Sequence, residues 1–90
     1  MLKTISITVK GKVQGVYFRH NTREKAVAEG ITGYVKNLPD GSVLIIASGT
    51  ERQLQQLEQW CHTGPKEAKV SGVISQELPH TSFARFTIER

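Results

Sequence analysis

Apolar residues take every second position at Ile5, Ile7 and Val9, and Val13 keeps the phase, with Thr4, Ser6, Thr8 and Lys10 between them. A period of two predicts a strand over roughly residues 3–13, with one buried and one polar face. A helix follows and stops at Gly30, a residue suited to the left-handed conformation that ends helices. Asn21 with Glu24 three residues later would form a capping box, and a start near Phe18 is the alternative. Tyr34 and Val35 belong to a short strand leading into Leu38-Pro39-Asp40-Gly41, which reads as a tight turn. Val43 to Ala47 is mostly apolar, as expected of a central strand covered on one face by helices. Thr50 and Gln53 form a second capping box, Leu54, Leu57 and Cys61 follow on one helical face, and Gly64-Pro65 stops that helix. Val70, Ile74 and Leu78 then suggest a long strand, and Phe83, Phe86 and Ile88 a last one. The order β-α-β-β-α-β plus a terminal strand predicts an α+β fold, a ferredoxin-like two-layer sandwich with two helices on one face of an antiparallel sheet.

Composition narrows the function classes. Ninety residues permit one domain, expected to span residues 1–90, with one modest core. No repeat, low-complexity tract or linker interrupts it. No apolar run approaches the roughly 18 residues of a membrane span, and Met1-Leu2-Lys3-Thr4 leads into alternation instead of a signal-peptide block. A lone Cys61 cannot form an internal disulfide, which fits a reducing compartment, so a cytoplasmic location is expected. Twelve Lys and Arg against eight Asp and Glu give +4, which suits anionic partners, either phosphorylated small molecules or nucleic acid, and equally a solvated basic surface with no partner. RNA-binding sheets of this architecture need exposed aromatic residues for base stacking. The first strand offers only Thr4, Ser6, Thr8 and Lys10 outward, so nucleic acid is not an expected partner. Cys61 and His62 have no Cys-x-x-Cys or His-x-x-x-His partner, and no metal site is expected. Trp60 is expected to pack on its helix or to lie partly exposed.

The candidate chemistry lies in Gly15-Val16-Tyr17-Phe18-Arg19. A glycine lets the backbone turn so that successive N–H groups face one concavity, a nest for an anion. A helix starting directly afterwards adds its unsatisfied amides and its positive dipole end. An arginine in that turn supplies a planar fork matched to phosphoryl oxygens. The same spacing also marks ordinary strand-to-helix turns. It is neither a P-loop nor a dinucleotide fingerprint. His20 is adjacent to Arg19 and, pointing about 100° away on a helix, is read as a rim or surface residue.

The run Gly11-Lys12-Val13-Gln14-Gly15-Val16-Tyr17-Phe18-Arg19 resembles the acylphosphatase signature Gly-x-Val-Gln-Gly-Val-x-Phe-Arg. Gly33-Tyr34-Val35-Lys36-Asn37 with Asp40-Gly41-Ser42-Val43 resembles that family's second signature, and Gly64-Pro65 with Ala68 and Val70 a weaker third. Tyr34 stands where tryptophan is commoner, and Lys12 where arginine is common. The resemblance covers nearly the whole chain and implies the same ferredoxin-like fold. It implies that Arg19 binds a phosphoryl group together with the backbone amides of Gln14, Gly15, Val16, Tyr17, Phe18 and Arg19, and that Asn37 holds the attacking water. Without the motif, Arg19 would read as a solvated side chain and Asn37 as a turn-former bonding its own backbone. Asn37 is nonetheless in phase with Val35, where periodicity expects an apolar residue. The implied activity is metal-free, cofactor-free hydrolysis of a small acyl phosphate to a carboxylate and inorganic phosphate, by a monomer that its phosphate product inhibits. The alternatives are a non-catalytic module binding phosphate or carbamoyl phosphate, as in larger maturation proteins carrying a similar domain, and a nucleic-acid-binding domain.

Overall fold

The alternating first segment forms strand β1, Leu2–Lys12, in the computed structural model, which describes residues 1–89. After it come α1 (Phe18–Glu29), β2 (Thr32–Asn37), β3 (Val43–Thr50), α2 (Glu51–Thr63), β4 (Lys69–Leu78) and β5 (Phe86–Ile88). The strands form one sheet in the order β4-β1-β3-β2-β5, with β3 central as its apolar sequence predicts. β1 pairs antiparallel with β3 and β4, and β2 antiparallel with β3. Ile7, Val9, Val35, Val43, Ile45 and Ala47 turn the same sheet face towards Phe18, Ala26, Leu54, Leu57 and Cys61 of the helices, and these residues form a single buried cluster. The two-layer α+β sandwich follows from that shared apolar face. No helix among the described residues is long and apolar enough to cross a membrane.

The local stop and start signals explain most of the boundaries. Gly30 is left-handed at φ 78°, and the amides of Gly30 and Ile31 donate to the Val27 and Ala26 carbonyls. At α2 the capping box closes in both directions: Gln53 N donates to Thr50 Oγ1 at 3.2 Å, and Thr50 N donates to Gln53 Oε1 at 2.8 Å. The other candidate box does not form. α1 begins at Phe18, and the Asn21 side chain instead donates to the Tyr17 carbonyl at 2.9 Å. Burial of Phe18 draws the chain into the helix one turn earlier than the polar signal suggests.

The last strand departs from the expected antiparallel arrangement. β5 pairs parallel with β2, Gly33 opposite Phe86 and Val35 opposite Ile88, so the sheet is mixed. The cause is the path taken by residues 79–85. β4 ends beside the start of β1, where Leu78 faces Thr4, and the chain then crosses under that end of the sheet to enter beside the start of β2. A closed ring of hydrogen bonds holds the crossing. Thr81 N donates to Thr4 Oγ1 at 2.8 Å, Thr4 Oγ1 and Ser48 Oγ lie 2.6 Å apart, and Ser48 Oγ donates to the Thr81 carbonyl at 2.7 Å. Phe83, expected in the strand, lies in this crossing, where its ring meets Tyr34 edge-on at 6.0 Å. That contact holds it outside the ladder.

Because Thr4 and Ser48 are buried, Ser48→Ala removes two bonds of the ring and leaves the Thr4 hydroxyl only its longer 3.3 Å contact through which to donate to the Thr81 carbonyl. Such a loss is on the order of 1 kcal/mol, and a urea midpoint lowered accordingly, by that free energy divided by the slope, at unchanged slope is expected. An unchanged midpoint would show that the ring adds nothing to the crossing.

Candidate active site

The loop between β1 and α1 alternates inward and outward within four residues. Val13 and Val16 are buried, Tyr17 is 76% exposed, and Phe18 is buried again at 1%. Reversing direction this fast requires left-handed backbone twice, at Gly15 (φ 75°) and at Tyr17 (φ 61°, ψ 24°). Glycine takes this conformation readily, whereas a tyrosine does so at the expense of roughly 1 kcal/mol. A Cβ at Gly15 would meet nothing within 4 Å, so glycine is required here for its backbone angles and not for lack of room. Tyr17 is the N-cap of α1, no side chain caps the helix, and its first turn carries no acid. The first amides and the positive end of the helix dipole are therefore left facing an open concavity.

Three strand ends meet that concavity. A cleft of about 370 Å³ is lined by Val13, Gly15, Tyr17, Phe18, Arg19, His20, Asn37 and Ile88. Arg19 and Asn37, eighteen positions apart in the sequence, thus share one wall-to-wall space with the loop. Arg19 is half-buried, and its Nη1 donates to the Glu89 carbonyl just past β5 at 3.2 Å. One edge of the guanidinium is held there, which leaves other donors of the fork for a ligand. Asn37 Oδ1 is buried without a hydrogen-bond partner among the described residues. The turn-former expected at Asn37 is instead Asp40, whose Oδ1 accepts from Ser42 N at 2.9 Å and from Ser42 Oγ at 2.5 Å. Those two bonds hold the Asp40 carboxyl below its ordinary pKa, helped by Lys10.

The remaining expected loop residues divide. Gly15, Tyr17 and Phe18 line the cleft, while Gln14 and Val16 do not form its wall. Val16 is core. The Gln14 side chain turns away to donate to the Leu38 and Ser42 carbonyls, at 2.8 and 2.9 Å, a contact that no local pattern in the sequence announces. Ile88 and Glu89 were also missed, because nothing before the fold says that the last strand ends beside the first helix. His20 is exposed on the cleft rim. Cys61 is buried, and burial pushes its thiol up to about 12, so it is not a nucleophile. Among the described residues, no three His, Cys, Asp or Glu gather in a group that could hold a metal. Trp60 packs on Phe18, with ring centres 5.4 Å apart.

Gly15→Val tests the cradle. A β-branched residue at φ 75° forces the loop out of shape at roughly 1–2 kcal/mol, which corresponds to a loss of about tenfold or more in affinity for inorganic phosphate. Calorimetric titration of a cooperatively folding Gly15→Val protein reads this directly, and unchanged affinity would rule the nest out.

Comparison with known proteins identifies the family of the chain. The family model described as Acylphosphatase matches residues 5–88. The chain is 55% identical over 75 residues to an acylphosphatase of Marinobacter nauticus, covering 83% of this chain and 82% of that one. Among solved structures it is similar to an acylphosphatase from Coxiella burnetii, with a TM-score of 0.95 and 39% identity over 98% of this chain and 93% of that one. It is likewise similar to acylphosphatase from Bacillus subtilis, with a TM-score of 0.94 and 35% identity over the full length of both.

Proposed function

The chain belongs to the acylphosphatase family, and from that membership we propose how its cleft works as an enzyme that hydrolyses acyl phosphates to a carboxylate and inorganic phosphate. The observation that carries the proposal is the meeting of the uncapped α1 terminus, Arg19 and Asn37 in one cleft. The amides of Gly15, Tyr17, Phe18 and Arg19, on the cleft wall, and the Arg19 guanidinium bind the phosphoryl oxygens. Asn37 orients a water in line with the bond from phosphorus to the carboxylate oxygen. As the water oxygen bonds to phosphorus, that bond breaks and its electron pair leaves with the carboxylate. The water's proton passes to a phosphoryl oxygen of the substrate.

The chemistry asks little else of the protein. The conjugate acid of the departing carboxylate has a pKa of about 4 to 4.5, so the group leaves as an anion without a general acid. Phosphoryl transfer passes through a loose transition state whose charge is spread over three equatorial oxygens, with little demand for a strong base. Fixed amides and one guanidinium stabilise that charge, and one carboxamide places the nucleophile. Inorganic phosphate retains the recognised oxygens and therefore competes with substrate. A carbamoyl-phosphate-binding module without turnover would use the same cradle, but the unpartnered Asn37 Oδ1 beside it favours a site that handles a water. We place this reaction in the cytoplasm, carried out by a monomer without cofactor.

Two measurements test the reading. Hydrolysis of benzoyl phosphate is expected to survive exhaustive chelation; activity lost and then restored by Mg²⁺ or Zn²⁺ would sink the metal-free mechanism. Arg19→Ala is expected to lose phosphate affinity and turnover together, with the rate down at least about a hundredfold, the scale for one charge-stabilising donor. Lysine rescues little at that position, because a point charge does not reproduce a two-pronged contact. Asn37→Ala is expected to keep phosphate affinity within about threefold while kcat falls by a comparable factor. Equal loss of affinity in both variants would assign Asn37 to the cradle.

A further inference from the structure

We infer that Gln14 is a positioning residue for this reaction: its side chain ties the phosphate-cradling loop to the turn that carries Asn37, and so sets the distance between phosphorus and the attacking water. The inference rests on the roles proposed above for Arg19 and Asn37. Gln14 Nε2 donates one hydrogen to the Leu38 carbonyl at 2.8 Å and the other to the Ser42 carbonyl at 2.9 Å. Leu38 is the residue directly after Asn37. The two carbonyls open and close the turn, so a single nitrogen with two donors in one plane grips both of its legs.

The turn has little else to locate it. Leu38 N donates to the Ser42 carbonyl at 2.8 Å, and Gly41 N donates to the Leu38 carbonyl at 3.1 Å. With the Asp40–Ser42 bonds, these fix the shape of the turn but not its distance from the loop. The sheet fixes that distance only in part. β1 pairs with β3 up to Val9 opposite Val43, β2 pairs with β3 up to Asn37 opposite Val43, and β5 pairs with β2 only as far as Val35. Beyond those rungs the tethers across to the β1 side are Gln14 and the Lys10–Asp40 ion pair at 3.7 Å, which is solvent-exposed and weakly restraining.

Asn37 Oδ1 has no protein partner among the described residues, so the direction of its carboxamide follows from the backbone that carries it. The loop, in contrast, is anchored by the buried Val13, Val16 and Phe18 whether or not Gln14 is present. Loss of the Gln14 carboxamide therefore frees the turn and spares the cradle.

The test is a double-mutant cycle on benzoyl phosphate hydrolysis. Gln14→Met keeps the length of the side chain and removes both donors; Gln14→Asn keeps the donors and withdraws them by one methylene. Either variant, whichever folds cooperatively, is expected to bind inorganic phosphate within about threefold of the parent while kcat falls about tenfold or more, the scale for displaced reactants. In the Asn37→Ala background the same substitution is expected to lose less than about twofold further, because the two residues act through one placement. Multiplicative losses in the double variant, or an unchanged kcat in folded Gln14→Met and Gln14→Asn, would overturn the inference while leaving the division between Arg19 and Asn37 intact. A fall in phosphate affinity parallel to the fall in rate would assign Gln14 to the cradle instead. Full turnover by Asn37→Ala would overturn both the inference and the reading beneath it.

Discussion

Burial of the Phe18 ring governs the rest of this molecule. The ring packs against Trp60 of α2 at 5.4 Å, in space kept free by Gly64, where a Cβ would come within 2.7 Å of it. Val16 is pulled into the same core two residues earlier. With both neighbours inward, Tyr17 is forced out, its backbone becomes left-handed, and α1 starts without a capping side chain. Side-chain packing in the core thereby produces the array of bare amides at the surface. The glycine that stops the second helix serves the first helix as much as its own, since a larger residue there would push the anchor out of place.

The sheet supplies what the loop cannot. β1, β2 and β5 all finish at the end of the sheet where α1 begins, because β5 runs parallel to β2 after crossing beneath the opposite end. The parallel pairing brings the Glu89 carbonyl to Arg19, so the guanidinium is braced by main chain and not by a mobile acid. A carboxylate in that place would have neutralised the guanidinium charge, which the proposed mechanism directs at a phosphoryl group. A carbonyl orients the guanidinium and leaves its charge whole. Hydroxyls and one amide at one pole of the sheet thus bear on an arginine at the other.

How much of this the sequence disclosed depends on the range of the interaction involved. Thr50 with Gln53 and the Gly30 stop were legible because both partners lie within one helical turn. The core face of β1 and β3 was legible because side-chain direction alternates strictly along a strand. Asn21 with Glu24 left the start of α1 open between two positions, and the structure takes Phe18, because a buried aromatic three residues earlier outweighs a polar cap. Phe83 misled for a related reason, since an aromatic residue near a strand can satisfy itself on the open face of the sheet, as this one does on Tyr34. The direction of β5 depends on Thr4, Ser48 and Thr81, and no spacing rule links positions so far apart. Arg19 and Asn37 were singled out through motif resemblance joined to a polar amide at a position where periodicity expects an apolar residue, and the fold brings them to one cleft. Gln14 was noted for its backbone, yet its side chain reaches residues 24 and 28 positions away, which only the folded chain reveals.

Asn37 also gives the protein an unusual thermodynamic character. A buried carboxamide oxygen with no protein partner among the described residues depends on a donor from the cleft, and wherever none reaches it the cost is on the order of 1–3 kcal/mol, which an apolar residue of similar shape would not incur. Folding of the chain holds that acceptor in position before any ligand arrives, so a molecule that donates a hydrogen to it meets no reorganisation barrier and relieves an existing deficit. Under the role proposed for Asn37, position 37 is a point where stability and readiness to act are opposed. Stability alone would be better served by an apolar residue in that register, so an asparagine there is a compromise written into the fold.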